Sequence, residues 1–181
     1  KYGLEATEQL SDFLIDNYES ALENKRAEFV SQVEREARLG LIERMQLNDG
    51  DAKGFYDANG IYQPAKAQAF ISSFTAKLSG LDKGFIRPHS VENARKANNA
   101  ATGSLELLLA STIMGSMKDR ARSSFKRRFN NMMESGQYAE AQASLADENV
   151  INNFDQTDID SFRIQATQAQ QDDNIGNAIV N

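Results

Sequence analysis

The chain has no cysteine, so it carries no disulfide, no thiolate nucleophile and no cysteine-ligated metal, and it is compatible with any redox compartment. Its single histidine, His89, excludes any site that needs two imidazoles, and its place after Pro88 in a connector reads as an incidental surface residue. No Gly-x-Ser-x-Gly, no glycine-rich phosphate loop with lysine and no His-Glu-x-x-His occurs. The longest apolar run, Leu105 to Met117, includes Glu106 and falls short of the roughly 20 residues that a membrane span requires, so it reads as core. The start shows no signal-peptide pattern, and opening at Lys1 rather than Met leads us to expect a trimmed or processed piece.

With 2 prolines and 11 glycines in 181 residues, long uninterrupted helices are permitted. The densest pattern lies between Ser104 and Leu145. Leu105, Leu108, Leu109, Thr112, Ile113, Met117, Ala121, Phe125, Phe129 and Met132 recur at steps of three and four, which keeps them on one helical face. Gly136 suits the left-handed residue that ends a helix. Tyr138, Ala141 and Leu145 then restart the pattern and are expected to fold back on Phe129 and Met133 as a helical hairpin.

Residues 4–47 read as one helix about 65 Å long, with Leu10, Leu14, Tyr18, Ala21, Leu22, Phe29, Val33, Ala37, Leu41 and Met45 at mixed three-four spacing. Gly40 is expected to bend it. Lys25 and Gln32 fall near the seam, so packing within a bundle is favoured over a two-stranded zipper, with self-association left open. Residues 48–63 are a loop in which Asn59-Gly60, set among Phe55, Tyr56, Ile61 and Tyr62, predicts a two-stranded flap at 54–62. Its aromatics either cap the bundle, the favoured reading, or form a contact surface. Pro64 opens a helix over 64–79 with Ala67, Phe70, Ile71, Phe74 and Leu78 on one face. A long helix follows over 90–135, then the return helix 137–145, a polar loop from Ala146 to Asp155, and a terminal helix over 157–170 with Ile159, Phe162, Ala166 and Ala169 sharing a face. Residues 168–181 have little apolar content and are expected to fray. The fold class is therefore all-α: an elongated bundle of about five helices with a small β-hairpin-like flap, in a single domain over 1–181.

Charge is uneven. Lys118, Arg120, Arg122, Lys126, Arg127 and Arg128 face only Asp119 within their segment, whereas the stretch after Met133 is acidic with Arg163 as its lone cation, within a formal net charge of −6. The basic set could neutralise phosphates. At about 100° per residue, however, the six spread around most of the helix, which favours a solvated face over a groove-binding one. Asp49-Gly50-Asp51 begins like a calcium loop, but Lys53 and Gly60 stand where further ligands belong, and turn chemistry explains the stretch. Glu134-Ser135 resembles the catalytic Glu-Ser pair of lysozyme-like lytic transglycosylases, where a glutamate in an apolar cleft is the general acid. The segments that follow it in that family are absent here.

The run Arg120-Ala-Arg-Ser-Ser-Phe125 through Asn130-Asn-Met-Met-Glu-Ser-Gly136-Gln-Tyr138-Ala-Glu-Ala141-Gln-Ala-Ser-Leu145, with Asp158-Ile-Asp160-Ser-Phe162 beyond, resembles helical segments of tailed-bacteriophage virion proteins of the internal, ejection or tail-associated type, over about residues 118–166. The same Gly-x-Tyr-x-x-Ala spacing occurs in tetratricopeptide repeats, but only one copy is present. The resemblance implies a non-catalytic helical component that assembles with itself or with larger virion proteins, located in the virion or the host cytoplasm. The expectation is thus a structural or assembly protein acting through protein contacts, with no cofactor, no metal and no membrane span. The contact residues expected are Phe55, Tyr56, Ile61 and Tyr62 in the flap and Lys118, Arg120, Arg122, Lys126, Arg127 and Arg128 in the basic segment. A nucleic-acid-associated protein using 118–128 and a peptidoglycan-cleaving enzyme using Glu134 are the alternatives.

Overall fold

A computed structural model describes residues 2–180, so Lys1 and Asn181, the ends of the expected domain, lie outside the described residues. The chain is helical, with α1 over Tyr2–Gln46, α2 over Pro64–Thr75 running into a 3-10 turn at Ala76–Leu78, α3 over Pro88–Glu134, α4 over Tyr138–Ser144, α5 over Glu148–Asn153 and α6 over Gln156–Val180. The all-α expectation holds. The helix beyond the expected five is α5, which forms in the stretch read as loop because the Asp147 carboxylate accepts the Asn149 N–H at 2.9 Å and caps its first turn. No proline interrupts α6, which continues past residue 170, the end expected for it, to Val180.

The chain divides into two compact units, Lys1–Ile113 and Met114–Asn181, where its length had suggested one core. In the first, Val33, Ala37 and Leu41 of α1 are buried together with Ala67, Phe70 and Ile71 of α2, Leu78, and Ala94, Leu105, Leu109 and Ile113 of α3. These are the three-four positions of each helix, so periodicity and burial coincide there. Glycine at position 40 does not interrupt α1. It lets α2 approach, because a Cβ at Gly40 would stand 3.3 Å from the Phe70 ring. Glu19 of α1 meets Ser90 of α3, and the groove lined by Glu19, Glu23, Ser90, Asn93 and Ala97 climbs both helices together, so α1 and α3 run in the same sense.

The second unit follows the expected hairpin. Gly136 takes a left-handed φ of 72°, its N–H bonds the Met133 carbonyl at 3.1 Å, and the Gln137 N–H bonds that of Met132 at 2.8 Å. This pair of bonds satisfies the last carbonyls of α3 and turns the chain. Ala141 of α4 and Leu145, the residue that ends it, then bury against Phe125 and Phe129, joined by Val150, Phe154, Ile159 and Ala166.

The predicted two-stranded flap does not form. Among the described residues the only pairing at 54–62 is a single antiparallel bridge between Tyr56 and Tyr62. Gly60 alone takes a positive φ there, so Asn59-Gly60 is not the hairpin turn its sequence suggests. Instead the Asp57 carboxylate accepts the N–H groups of Asn59 at 2.8 Å and Ile61 at 2.9 Å, closing the loop on itself and leaving no ladder to extend.

Candidate interaction surfaces

The expected contact residues divide sharply. Phe55 and Tyr56 are buried, Phe55 completely, with its ring edge-on to Phe70 at 5.7 Å. They cap the first unit and present nothing to a partner, which corrects their place among contact residues. Tyr62 is half-buried and stacks at a tilt on Tyr56, whereas Ile61 stands exposed. The Asp49-Gly50-Asp51 stretch is turn chemistry, as its sequence implied: the Asp51 carboxylate accepts the Lys53 N–H at 2.9 Å. No group of three or more metal-ligating side chains occurs among the described residues.

The basic segment is not one surface either. Arg122 donates from Nε to the Asn153 carbonyl at the end of α5 and lies 5.5 Å over the Phe154 ring, and Arg128 lies 5.8 Å over Phe125. Both therefore brace the second unit's own core edge. Arg120 is half-buried, while Lys118, Lys126 and Arg127 are exposed. Glu134 is exposed at the last turn of α3, outside any apolar cleft of the kind a glycosidase acid occupies, and His89 is exposed beside Ser90.

The most organised polar cluster is one the sequence reading missed. Glu19, 7% exposed, accepts the backbone N–H groups of Ile86 and Arg87 at 2.8 Å each and the Ser90 hydroxyl at 2.6 Å. A carboxylate of α1 thus caps the start of α3, satisfying donors that have no intrahelical partner. Arg87 extends the clamp by pairing with Asp16 and, at 3.3 Å, with Asp12, and these bonds hold its guanidinium in the charged form. The signal was present: Asp12, Asp16 and Glu19 lie on neighbouring turns of one helix, and Arg87 precedes a Pro-His-Ser helix start whose N–H groups need an acceptor.

The bond from the Arg87 amide, then that from the Ser90 hydroxyl, pulls Glu19 from its ordinary 4.5 down to about 2. A carboxyl depressed on folding contributes stability that is complete above its unfolded value and is lost as pH falls through the folded one. Thermal melts of the parent and of Glu19→Gln should therefore differ by a constant amount above pH 5, and the gap should close between pH 4.5 and 2. A gap unchanged at pH 2 would remove Glu19 from the clamp.

The other feature is apolar. Leu10, Phe13, Leu14 and Leu39 of α1 are each about 60% exposed, and Ile42 is 49% exposed. Leu10 and Leu14 belong to the three-four stripe of α1, but the covered face is that of Val33, Ala37 and Leu41. At 100° per residue Leu10, Phe13, Leu14, Leu39 and Ile42 fall within one third of the helix circumference, opposite that buried face. Between them along the same side runs a groove of about 670 Å³ lined by Ala27, Glu28, Ser31, Gln32, Arg35, Glu36 and Leu39. Among the described residues no helix is long and apolar enough to cross a membrane.

No protein-family model matches the chain, and no curated protein or solved structure matches it significantly.

Proposed function

We propose that this chain is a non-enzymatic helical assembly protein that acts by docking protein onto the outward face of α1. The observation that carries this reading is that Leu10, Phe13, Leu14, Leu39 and Ile42 share one side of a single helix and all stand largely in solvent. Scattered exposed leucines need no explanation, but apolar side chains grouped at each end of one helical side, Leu10, Phe13 and Leu14 at one and Leu39 and Ile42 at the other, mark surfaces that gain by being covered. The resemblance of 118–166 to virion proteins of tailed bacteriophages extends the proposal to a virion component. Association with nucleic acid through Lys118, Lys126 and Arg127 is the weaker reading, because Arg122 and Arg128 of that segment are committed to Phe154 and Phe125.

The test is mass in solution. The parent should exceed the 20.1 kDa of one chain by light scattering at tens of micromolar. Phe13→Glu/Leu14→Glu should return it to that mass with an unchanged circular dichroism spectrum, since both side chains are exposed in the single chain. A parent that stays at 20.1 kDa throughout sinks the reading.

A further inference from the structure

A cleft of about 310 Å³ opens where the last turn of α1, the loop after it and α2 meet. Arg44 of α1, Lys53 of the loop and Lys66 of α2 line it, together with Ala69, Phe70 and Ser73. Lys66, Ala69, Phe70 and Ser73 recur at steps of three and four, so α2 gives the cleft one face, cationic at one end and apolar in the middle. No carboxylate lines it, whereas the clefts described above carry Glu19 and Glu23, or Glu28 and Glu36. Among the described residues none of the three cations has an ion pair, in a chain with 26 acidic side chains to 20 basic ones. Asp51, the acid nearest Lys53 in the chain, turns its Oδ1 to the Lys53 N–H instead. α2 itself has no acidic residue, so nothing on it offsets the positive end of its dipole.

Two of the cations are held in place before any ligand arrives. Arg44 Nη1 donates to the Lys53 carbonyl at 2.9 Å and its guanidinium lies 4.9 Å over the Phe70 ring, while Lys66 Nζ donates to the Ala52 carbonyl at 3.4 Å. These bonds pin the loop, yet a neutral carbonyl takes one donor and cancels no charge. An arginine has five N–H donors and a lysine three, so both keep donors to spare. The Ser73 hydroxyl donates to the Phe70 carbonyl at 2.7 Å, which leaves the binding of oxygen acceptors to the cations. A cleft lined by one sign of charge over an apolar wall focuses its field and concentrates counter-ions. Three like charges around so small a space are best met by one compact group that carries more than one negative charge and several oxygens. We infer that the cleft is a binding site for a small phosphate dianion, with the Arg44 fork on two of its oxygens and the ammonium groups of Lys53 and Lys66 on the others.

The test is a titration of the full chain with inorganic phosphate near pH 8, followed by amide NMR shifts, with sodium chloride withdrawn in step so that ionic strength stays fixed. The amides of Lys53, Lys66 and Ala69 should shift together and saturate at millimolar phosphate. Those of Lys118, Lys126 and Arg127, exposed cations of α3, should not move. Lys66→Gln changes an exposed side chain and should weaken binding about five- to tenfold, the loss of one charge-assisted contact. Arg44→Lys keeps the charge and loses the fork, and it should weaken binding as well. Acetate, with one charge, should bind about tenfold more weakly than phosphate. Shifts as large at Lys118, Lys126 and Arg127, acetate binding as tight as phosphate, Lys66→Gln binding as tight as the parent, or shifts that never saturate would each overturn the inference. None of these outcomes bears on docking through the α1 face, which mass in solution tests separately.

Discussion

Replacing Phe129 by alanine should lower the stability of the second unit by about 3–5 kcal/mol, the range for truncating a fully buried phenylalanine. Phe129 has no exposed surface, and its ring lies 5.8 Å from that of Phe125 and 5.0 Å from that of Phe162. Phe125, Phe154 and Phe162 are mutually edge-on at 5.3 to 5.5 Å, so the four rings form a closed set drawn from α3, α6 and the residue that ends α5. Each such pair contributes about 0.5–1.5 kcal/mol beyond the area it buries, and the methyl group of alanine leaves a cavity that the remaining rings cannot fill without losing their edge contacts. A domain's whole margin is typically about 5–15 kcal/mol, so the loss is a large part of what holds α4 and α6 in place. Amide hydrogen exchange reads it directly: protection across Tyr138–Ser144 and Gln156–Val180 should fall by two to three orders of magnitude at least, on the order of tenfold per 1.4 kcal/mol. Phe13→Ala, on the exposed α1 face, should stay within about 0.5 kcal/mol of the parent. A Phe129→Ala protein whose exchange matches the parent would mean that the ring cluster is not the core of this unit.

That cluster also shows what the sequence could and could not disclose. Phe125, Phe129, Ala141 and Leu145 were legible because helical spacing and the Gly136 turn are local properties, and each is buried as its place in the pattern demands. Phe154 was not, since it sits in a polar stretch with no periodicity and is buried by rings from α3 and α6, Phe125 and Phe162. Contacts between segments distant in sequence leave no periodic trace. The same limit hid the Glu19 clamp, whose partners are 67 to 71 residues away. It misplaced Phe55 and Tyr56 as well, because an exposed aromatic loop and a loop folded onto Phe70 have the same local composition. On α1 the error was of another kind. A three-four stripe states that a face is apolar, not that it has cover, and Leu10 and Leu14 satisfy the pattern while standing in solvent.

Glycines inside the helices give the second large effect, and its sign depends on position. Gly103 and Gly115 lie within α3, and a Cβ built at either meets nothing within 4 Å. Alanine there restricts the unfolded backbone and keeps the helix, so Gly103→Ala and Gly115→Ala should each raise stability by about 0.8–1 kcal/mol. Leucine at Gly40 offers nearly the same gain in propensity, yet the Phe70 ring stands 3.3 Å from where its Cβ would be. That ring cannot retreat. It is 5% exposed, held by Phe55 at 5.7 Å and Phe74 at 4.9 Å, with the Arg44 guanidinium 4.9 Å above it. Overpacking a site without slack costs about 1–3 kcal/mol, which exceeds the propensity gain, so Gly40→Leu should melt below the parent while the two α3 variants melt above it. Differential scanning calorimetry on the three variants decides the matter. If Gly40→Leu melted above the parent alongside them, position 40 would be an ordinary helix site, and the close approach of α2 to α1 would have to be explained without it.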